Sequence, residues 1–208
     1  MVNSVEIDLI DRYQRLTDRL RQAESQYGRA EGSVCLVAVS KTYPADNIRT
    51  VATQGQRDFG ENQIQDAMTK IPVLEDLGCS WHFIGPIQSN KCRDIALHFD
   101  WVHSVDRAKV ARRLSDLRPA NTKPINIFIQ INLQNEATKS GVLPKQLGAL
   151  VDEVKNLPNL KLRCLMAIPA PETLFDRQRA TFATLRELLQ TTNRGHQTYM
   201  DYLSMGMT

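Results

Sequence analysis

The sequence lacks most of the patterns that would reveal its chemistry at once. It has no glycine-rich GxGxxG loop, no GxSxG elbow, no HExxH pair and no CxxC. The first absence argues against a dinucleotide fold and the second against a serine-hydrolase triad. The last two leave a zinc site unsupported. No apolar stretch approaches the roughly 18 residues that a membrane span requires. The first sixteen residues, MVNSVEIDLIDRYQRL, alternate charge with apolar side chains and lack the basic flank and apolar centre of a signal peptide. Charge of one sign is also missing. The 26 basic and 23 acidic residues leave a formal charge of +3, too weak and too mixed to imply nucleic acid or a membrane surface. The four cysteines, Cys35, Cys79, Cys92 and Cys164, are scattered. Without an export signal they read as free thiols of a cytosolic protein. Cys35 and Cys164 lie in apolar runs and are expected in the core. No repeat at the spacing of a solenoid is visible.

What is present is an alternation. A chain of 208 residues suits one domain with a sizeable core. Residues 4–26 read as an amphipathic helix with a stripe of Val5, Ile7, Leu9, Ile10, Tyr13, Leu16 and Leu20. Residues 34–39 follow as a continuous apolar run, the pattern of a strand covered on both faces in a parallel sheet. Further strands are expected near 57–60, 81–84, 101–105, 125–131, 160–168 and 202–205. Helices are expected near 45–54, 62–71, 89–98, 106–117, 144–156 and 174–190. Pro144 suits a first helical turn. This α/β alternation admits an open doubly wound sheet or a barrel. The missing phosphate loop after the first strand, and the polar residues gathered after nearly every strand, favour the barrel.

Those polar clusters carry the candidate chemistry. Lys41 directly follows residues 34–40, so it stands at the carboxyl end of a strand. Apolar walls there favour the neutral amine that a Schiff-base nucleophile needs; the alternative is a lysine snorkelling to solvent. Asn62 closes the cluster Asp58-Phe59-Gly60-Glu61-Asn62 and reads either as a helix cap or as an amide bonding a ligand near Lys41. His82 lies inside an apolar run and suits a satisfied core histidine better than a ligand. Ser89 is a natural cap for the following helix. Lys139 reads as solvated, or as a second amine facing the mouth. Ser204, Gly206, Met207 and Thr208 close the chain, where barrels commonly place a phosphate site after strands seven and eight.

Taken in order, several pieces resemble the pyridoxal phosphate homeostasis proteins, relatives of the alanine racemase barrel. They are Leu36-Val37-Ala38-Val39-Ser40-Lys41-Thr42, Phe59-Gly60-Glu61-Asn62, and Trp81-His82-Phe83-Ile84-Gly85 with Gln88-Ser89-Asn90-Lys91. Ile129-Gln130-Ile131-Asn132, Lys139-Ser140-Gly141, Leu165-Met166-Ala167-Ile168-Pro169 and Leu203-Ser204-Met205-Gly206-Met207 complete the set.

The resemblance implies a (β/α)8 barrel of the TIM type, pyridoxal phosphate fold-type III, as one cofactor-binding domain over residues 1–208. The extra helix occupies about 4–26 and the barrel about 33–208. It implies pyridoxal 5′-phosphate as a Schiff base on Lys41, with Asn62 beside the ring. Ser204, Gly206, Met207 and Thr208 would hold the phosphate, and His82 and Lys139 would be secondary. It further implies a cytoplasmic carrier and buffer of vitamin B6, monomeric in the intact family, without robust catalysis. Pyridoxal-phosphate-dependent apo-enzymes are its expected partners. No metal, nucleic acid or membrane is expected. The alternative is an amino-acid racemase or lyase, but no second domain is available to complete a racemase site. Seven strands are visible. Against the family pattern the last helix–strand–helix portion is missing, and with it an arginine for the pyridine nitrogen. Weaker cofactor retention or an open strand edge is expected from that gap.

Overall fold

Helix α1 (Ser4–Gln26) opens the chain in a computed structural model that describes residues 4–136 and 139–206. Two compact units are resolved, residues 1–82 and 83–208. In the first, α1 buries Glu24 and half-buries Tyr13 and Thr17. Leu9, Ile10 and Leu20 are half-buried, whereas Ile7 and Leu16 emerge on its flanks, at 51% and 46% exposed. The expected stripe thus holds at Leu9, Ile10, Tyr13 and Leu20 and fails at Ile7 and Leu16.

Glu24 explains where α1 points. Only 2% exposed, it accepts hydrogen bonds from the Val34 N–H at 2.6 Å and the Gly32 N–H at 3.0 Å, and pairs with Arg21. Burial works against its ionised form, yet these bonds hold its carboxyl down at about 2, from an ordinary 4.5. A depressed carboxylate contributes stability above its unfolded value and loses it as pH falls through the folded one. Wild type is thus expected to melt higher than Glu24→Gln at pH 6. The gap should close between about pH 4.5 and 2, as followed by circular dichroism melts. A gap that persists at pH 2 would assign the effect to something other than this carboxylate.

Strand β1 is shorter than expected, only Ala38–Val39, and its residues are half-buried. The backbone groups just before it are satisfied by side chains. Glu24 takes the Val34 N–H, and the buried Gln56 amide donates to Leu36 O at 2.7 Å and Asp58 O at 2.6 Å. A chain so bonded has no ladder to join until Ala38. Cys35 is consequently exposed, a correction to its expected place in the core. Loss of solvent around its thiol and the neighbouring Asp58 still push Cys35 up to about 11. Helix α2 (Ala45–Thr53) buries Ile48, Val51 and Ala52 and leads to β2 (Asp58–Glu61). β1 and β2 are parallel, with Ala38 opposite Phe59 and Val39 opposite Gly60. Helix α3 (Ile64–Lys70) runs into a 3-10 turn, Pro72–Leu77, which was not foreseen. The chain then reaches β3 (Ser80–Phe83).

In the second unit, a 3-10 turn at Ser89–Lys91 precedes α4 (Cys92–His98), so Ser89 does not cap the helix as expected. Then follow β4 (Trp101–Val105), α5 (Ala108–Leu117), β5 (Ile125–Gln130) and α6 (Pro144–Val154). The chain continues through β6 (Leu160–Ala167), α7 (Phe175–His196) and β7 (Tyr202–Met205). Pro144 occupies the first helical turn, where its missing N–H costs nothing. β4 to β7 are parallel neighbours in chain order. One face of β5 buries Ile125, Ile127 and Ile129 completely. The other packs Phe128 with Cys164 and Met166, against Trp101, as the two-residue period of a strand requires. Cys164 is in the core as expected, and burial pushes its thiol up. β7 leaves Tyr202 and Met205 exposed. No helix among the described residues is long and apolar enough to cross a membrane.

Candidate functional site

The carboxyl ends of β1 and β2 carry the candidates of the first unit. Ser40 continues the ladder, its N–H bonded to Gly60 O at 2.9 Å, and the Tyr43 N–H then returns to Ser40 O at 3.1 Å. Lys41 and Thr42 are thus the two central residues of a tight turn. Thr42 has φ 68°, as the third position of a type II turn demands and as a β-branched residue resists. The strain is worth roughly 1–2 kcal/mol. Its Thr42 N–H is met by Asp66 Oδ2 at 3.3 Å. Lys41 is half-buried, and among the described residues its amine makes no hydrogen bond or ion pair.

Under this turn lies a buried polar cluster. Lys70, 3% exposed, donates at 2.8 Å to each of Ser40 O, Glu61 Oε1 and Asp66 Oδ2. Ser40 Oγ also donates to Glu61 Oε1, at 2.7 Å. Burial raises Glu61 above the usual carboxylate range against the pull of Lys70 and Ser40. Its Oε2 is buried without a partner among the described residues. For Asp66, burial is outweighed by hydrogen bonds from Lys70 and Thr42, which hold it below its ordinary value. Sequence reasoning missed Glu61 and Lys70. Glu61 lay inside a quoted motif, and Asp66 with Lys70 forms an i,i+4 acid–lysine pair, but such pairs normally decorate surfaces.

Asn62 is half-buried and caps nothing. Helix α3 starts after Gln63 without a side-chain cap, which overturns the capping reading. The β1–β2 register ends with Val39 opposite Gly60, and Lys41 and Asn62 each follow two residues after that pair. His82 is buried and its Nε2 lies 3.0 Å from Asp58 Oδ1, at the start of β2. That bond, outweighing burial, holds Asp58 below its ordinary value. The structure joins His82 to Asp58.

The second unit carries the remaining candidates. Ser204 lies on β7 opposite Met166, and its hydroxyl meets His103 Nδ1 at 2.9 Å. The His103 ring stacks on Phe128, with centroids 4.1 Å apart. Gly206 follows, and a Cβ placed there would meet nothing within 4 Å, so its backbone faces open space. Met207 and Thr208 lie outside the described residues. Lys139 is not merely solvated, contrary to the preferred expectation. It pairs with Glu136 Oε1 at 2.8 Å and donates to Ile168 O at 3.3 Å. There it lines a cleft of about 280 Å³ with Ile84, Gln130, Asn132 and Ala167. Asn132 folds the loop beside that cleft, its amide donating to Glu136 O and Lys139 O and its Oδ1 accepting the Glu136 N–H. Among the described residues no group of three or more His, Cys, Asp or Glu side chains could hold a metal ion.

A family model for the alanine racemase N-terminal domain matches residues 12–208. The Pseudomonas aeruginosa pyridoxal phosphate homeostasis protein is 53% identical over 194 residues, 93% of this chain and 83% of its own. The chain belongs to the pyridoxal phosphate homeostasis protein family. Its Escherichia coli K12 member is 43% identical over 207 residues, 97% of this chain and 87% of that one. PipY of Synechococcus elongatus, solved with pyridoxal phosphate bound, superposes with a TM-score of 0.77 at 35% identity, covering 92% of this chain and 89% of PipY. The family fold is the alanine-racemase-type (β/α) barrel domain, represented here by seven strands.

Proposed function

We propose that this chain binds pyridoxal 5′-phosphate and serves vitamin B6 homeostasis as an intracellular carrier and buffer. The observation that carries the reading is Lys41, a half-buried amine without a partner among the described residues, presented on a strained turn at a strand end. Its relatives are named for that homeostasis, and PipY has been solved with the cofactor. The residues present fit the group. The first unit offers the Lys41 amine, which has no partner among the described residues, and the second a serine hydroxyl oriented by a buried histidine.

Bound pyridoxal phosphate supplies an aldehyde for covalent attachment and a phosphate dianion for anchoring. Lys41 presents the amine, and the Asn62 amide stands alongside to bond a ring oxygen. The Ser204 hydroxyl donates to a phosphate oxygen. Gly206, with Met207 and Thr208 as the resemblance implies, offers backbone and hydroxyl donors. Lys139 and His82 remain secondary. Residues 1–208 act as one binding domain, located in the cytoplasm and handing cofactor to apo-enzymes that require it. The chain acts without robust turnover, a reading supported by relatives named for homeostasis.

The purified protein is expected to absorb as a yellow adduct that borohydride fixes to Lys41, as mass spectrometry of the peptides will show. Lys41→Ala should lose the band and bind cofactor more than about tenfold more weakly. An adduct on another lysine, or on none, would end this reading. Gly206→Val tests the phosphate end. A Cβ there meets no atom of the described residues within 4 Å, so the melt should hold while cofactor affinity drops about tenfold. Unchanged affinity removes Gly206 from the site. Holo-protein given L-alanine in deuterated water should show no α-proton exchange on the scale of about 1 s⁻¹; exchange at that rate would make it an enzyme.

A further inference from the structure

The buried ammonium of Lys70 has no place in the binding roles given above, yet it touches everything that shapes the Lys41 turn. Its three acceptors are Ser40 O, Glu61 Oε1 and Asp66 Oδ2, each at 2.8 Å. Ser40 precedes Lys41 and Thr42 follows it. Lys70 holds the first directly, and also through Glu61, whose Oε1 accepts the Ser40 hydroxyl at 2.7 Å. It holds the second through Asp66, whose Oδ2 accepts the Thr42 N–H at 3.3 Å. Both flanks of the reactive residue are therefore tied to one cation on α3, thirty positions along the chain from Ser40.

Fold stability alone does not ask for this arrangement. A buried ion pair seldom outperforms well-packed apolar side chains of the same size. This one in addition leaves Glu61 Oε2 without a partner among the described residues and supports a threonine at φ 68°. Strain and unmet polar atoms gather where geometry is being imposed for a purpose. The imposed geometry here is the direction in which Lys41 leaves the backbone.

We propose that Lys70 is a positioning residue for Lys41, fixing the Ser40–Thr42 turn through Glu61 and Asp66 so that the amine stands where the cofactor aldehyde arrives. The proposal rests on the reading of Lys41 as the attachment point. It predicts a selective defect. Phosphate and ring contacts come from other residues, so only the part of the affinity that depends on the aldehyde should suffer.

The test compares two ligands by calorimetric titration: pyridoxal 5′-phosphate, and pyridoxine 5′-phosphate, in which an alcohol replaces the aldehyde. Wild type should bind the aldehyde more tightly, and Lys41→Ala should erase the preference. The charge-neutral double variant Lys70→Met with Glu61→Gln avoids a stranded carboxylate. Asp66→Ala, at a side chain 35% exposed, removes the acceptor that links Lys70 to the Thr42 N–H with little risk to folding. In both, affinity for the aldehyde should fall about tenfold while that for the alcohol stays within about twofold. If the double variant does not fold, Asp66→Ala decides alone. Equal losses for both ligands, or none for either, overturn the positioning role. A wild type that does not distinguish the ligands would instead overturn the assignment of Lys41.

Discussion

Replacing Lys70 alone by methionine is expected to cost about 3–5 kcal/mol of folding stability, the usual result of removing one partner from a buried pair. At about 2–4 °C per kcal/mol for a chain of this size, the melt should fall by roughly 10 °C. The physical cause is Glu61. It is fully buried and already raised by burial, and without Lys70 it keeps only the Ser40 hydroxyl. A carboxyl raised on folding binds its proton more readily in the native state, so it destabilises above its unfolded value and ceases to as pH falls through that value. The deficit of Lys70→Met should accordingly be largest near pH 8 and shrink toward pH 4.5. Adding Glu61→Gln should restore most of it at neutral pH. A single variant that melts within about 2 °C of wild type at pH 8 would show that Glu61 finds other relief.

The second large effect is expected in the other unit, at Phe128. Truncation to alanine should cost about 3–5 kcal/mol, through lost transfer energy and the void left behind. Phe128 is 5% exposed and belongs to the cluster with Cys164 and Met166. Trp101 meets it edge-on, with centroids 5.6 Å apart, and the His103 ring lies 4.1 Å away. The void would open beside the histidine that orients the Ser204 hydroxyl, so cofactor retention should weaken along with the fold. Phe128→Leu, which fills most of the space, should lose much less. Urea unfolding followed by tryptophan fluorescence measures both. A loss below about 1 kcal/mol for the alanine variant would mean that the strands close over the gap.

The alternation of seven strands with helices was legible because long apolar periods outlast local detail. β5 with three fully buried isoleucines and the first turn at Pro144 followed directly from pattern and chemistry. The place of Lys41 after a strand was legible for the same reason. What the sequence concealed was settled by side chains reaching across the chain. Gln56 and Glu24 took the backbone groups of residues 34–36, which shortened β1 and left Cys35 exposed. In α1, Leu9, Ile10, Tyr13 and Leu20 kept to the half-buried face while Ile7 and Leu16 are exposed, and the buried Glu24 is a residue that a hydrophobicity reading never selects. Asn62 and Ser89 carried good capping chemistry, but one helix starts a residue later and the other through a 3-10 turn. Lys70 was invisible as a core residue because its two carboxylate partners make it look like a solvated surface pair.

The same lysine also bears on selectivity between amines. An ammonium has three protons to give, and those of Lys70 go to a carbonyl and two carboxylates. A nitrogen so committed has no lone pair for a passing carbonyl carbon. Among the described residues the amine of Lys41, in the same unit, makes no hydrogen bond or ion pair. The two chemically identical groups thus differ in their hydrogen bonding, which supports the proposal that the cofactor attaches at Lys41 and not at Lys70.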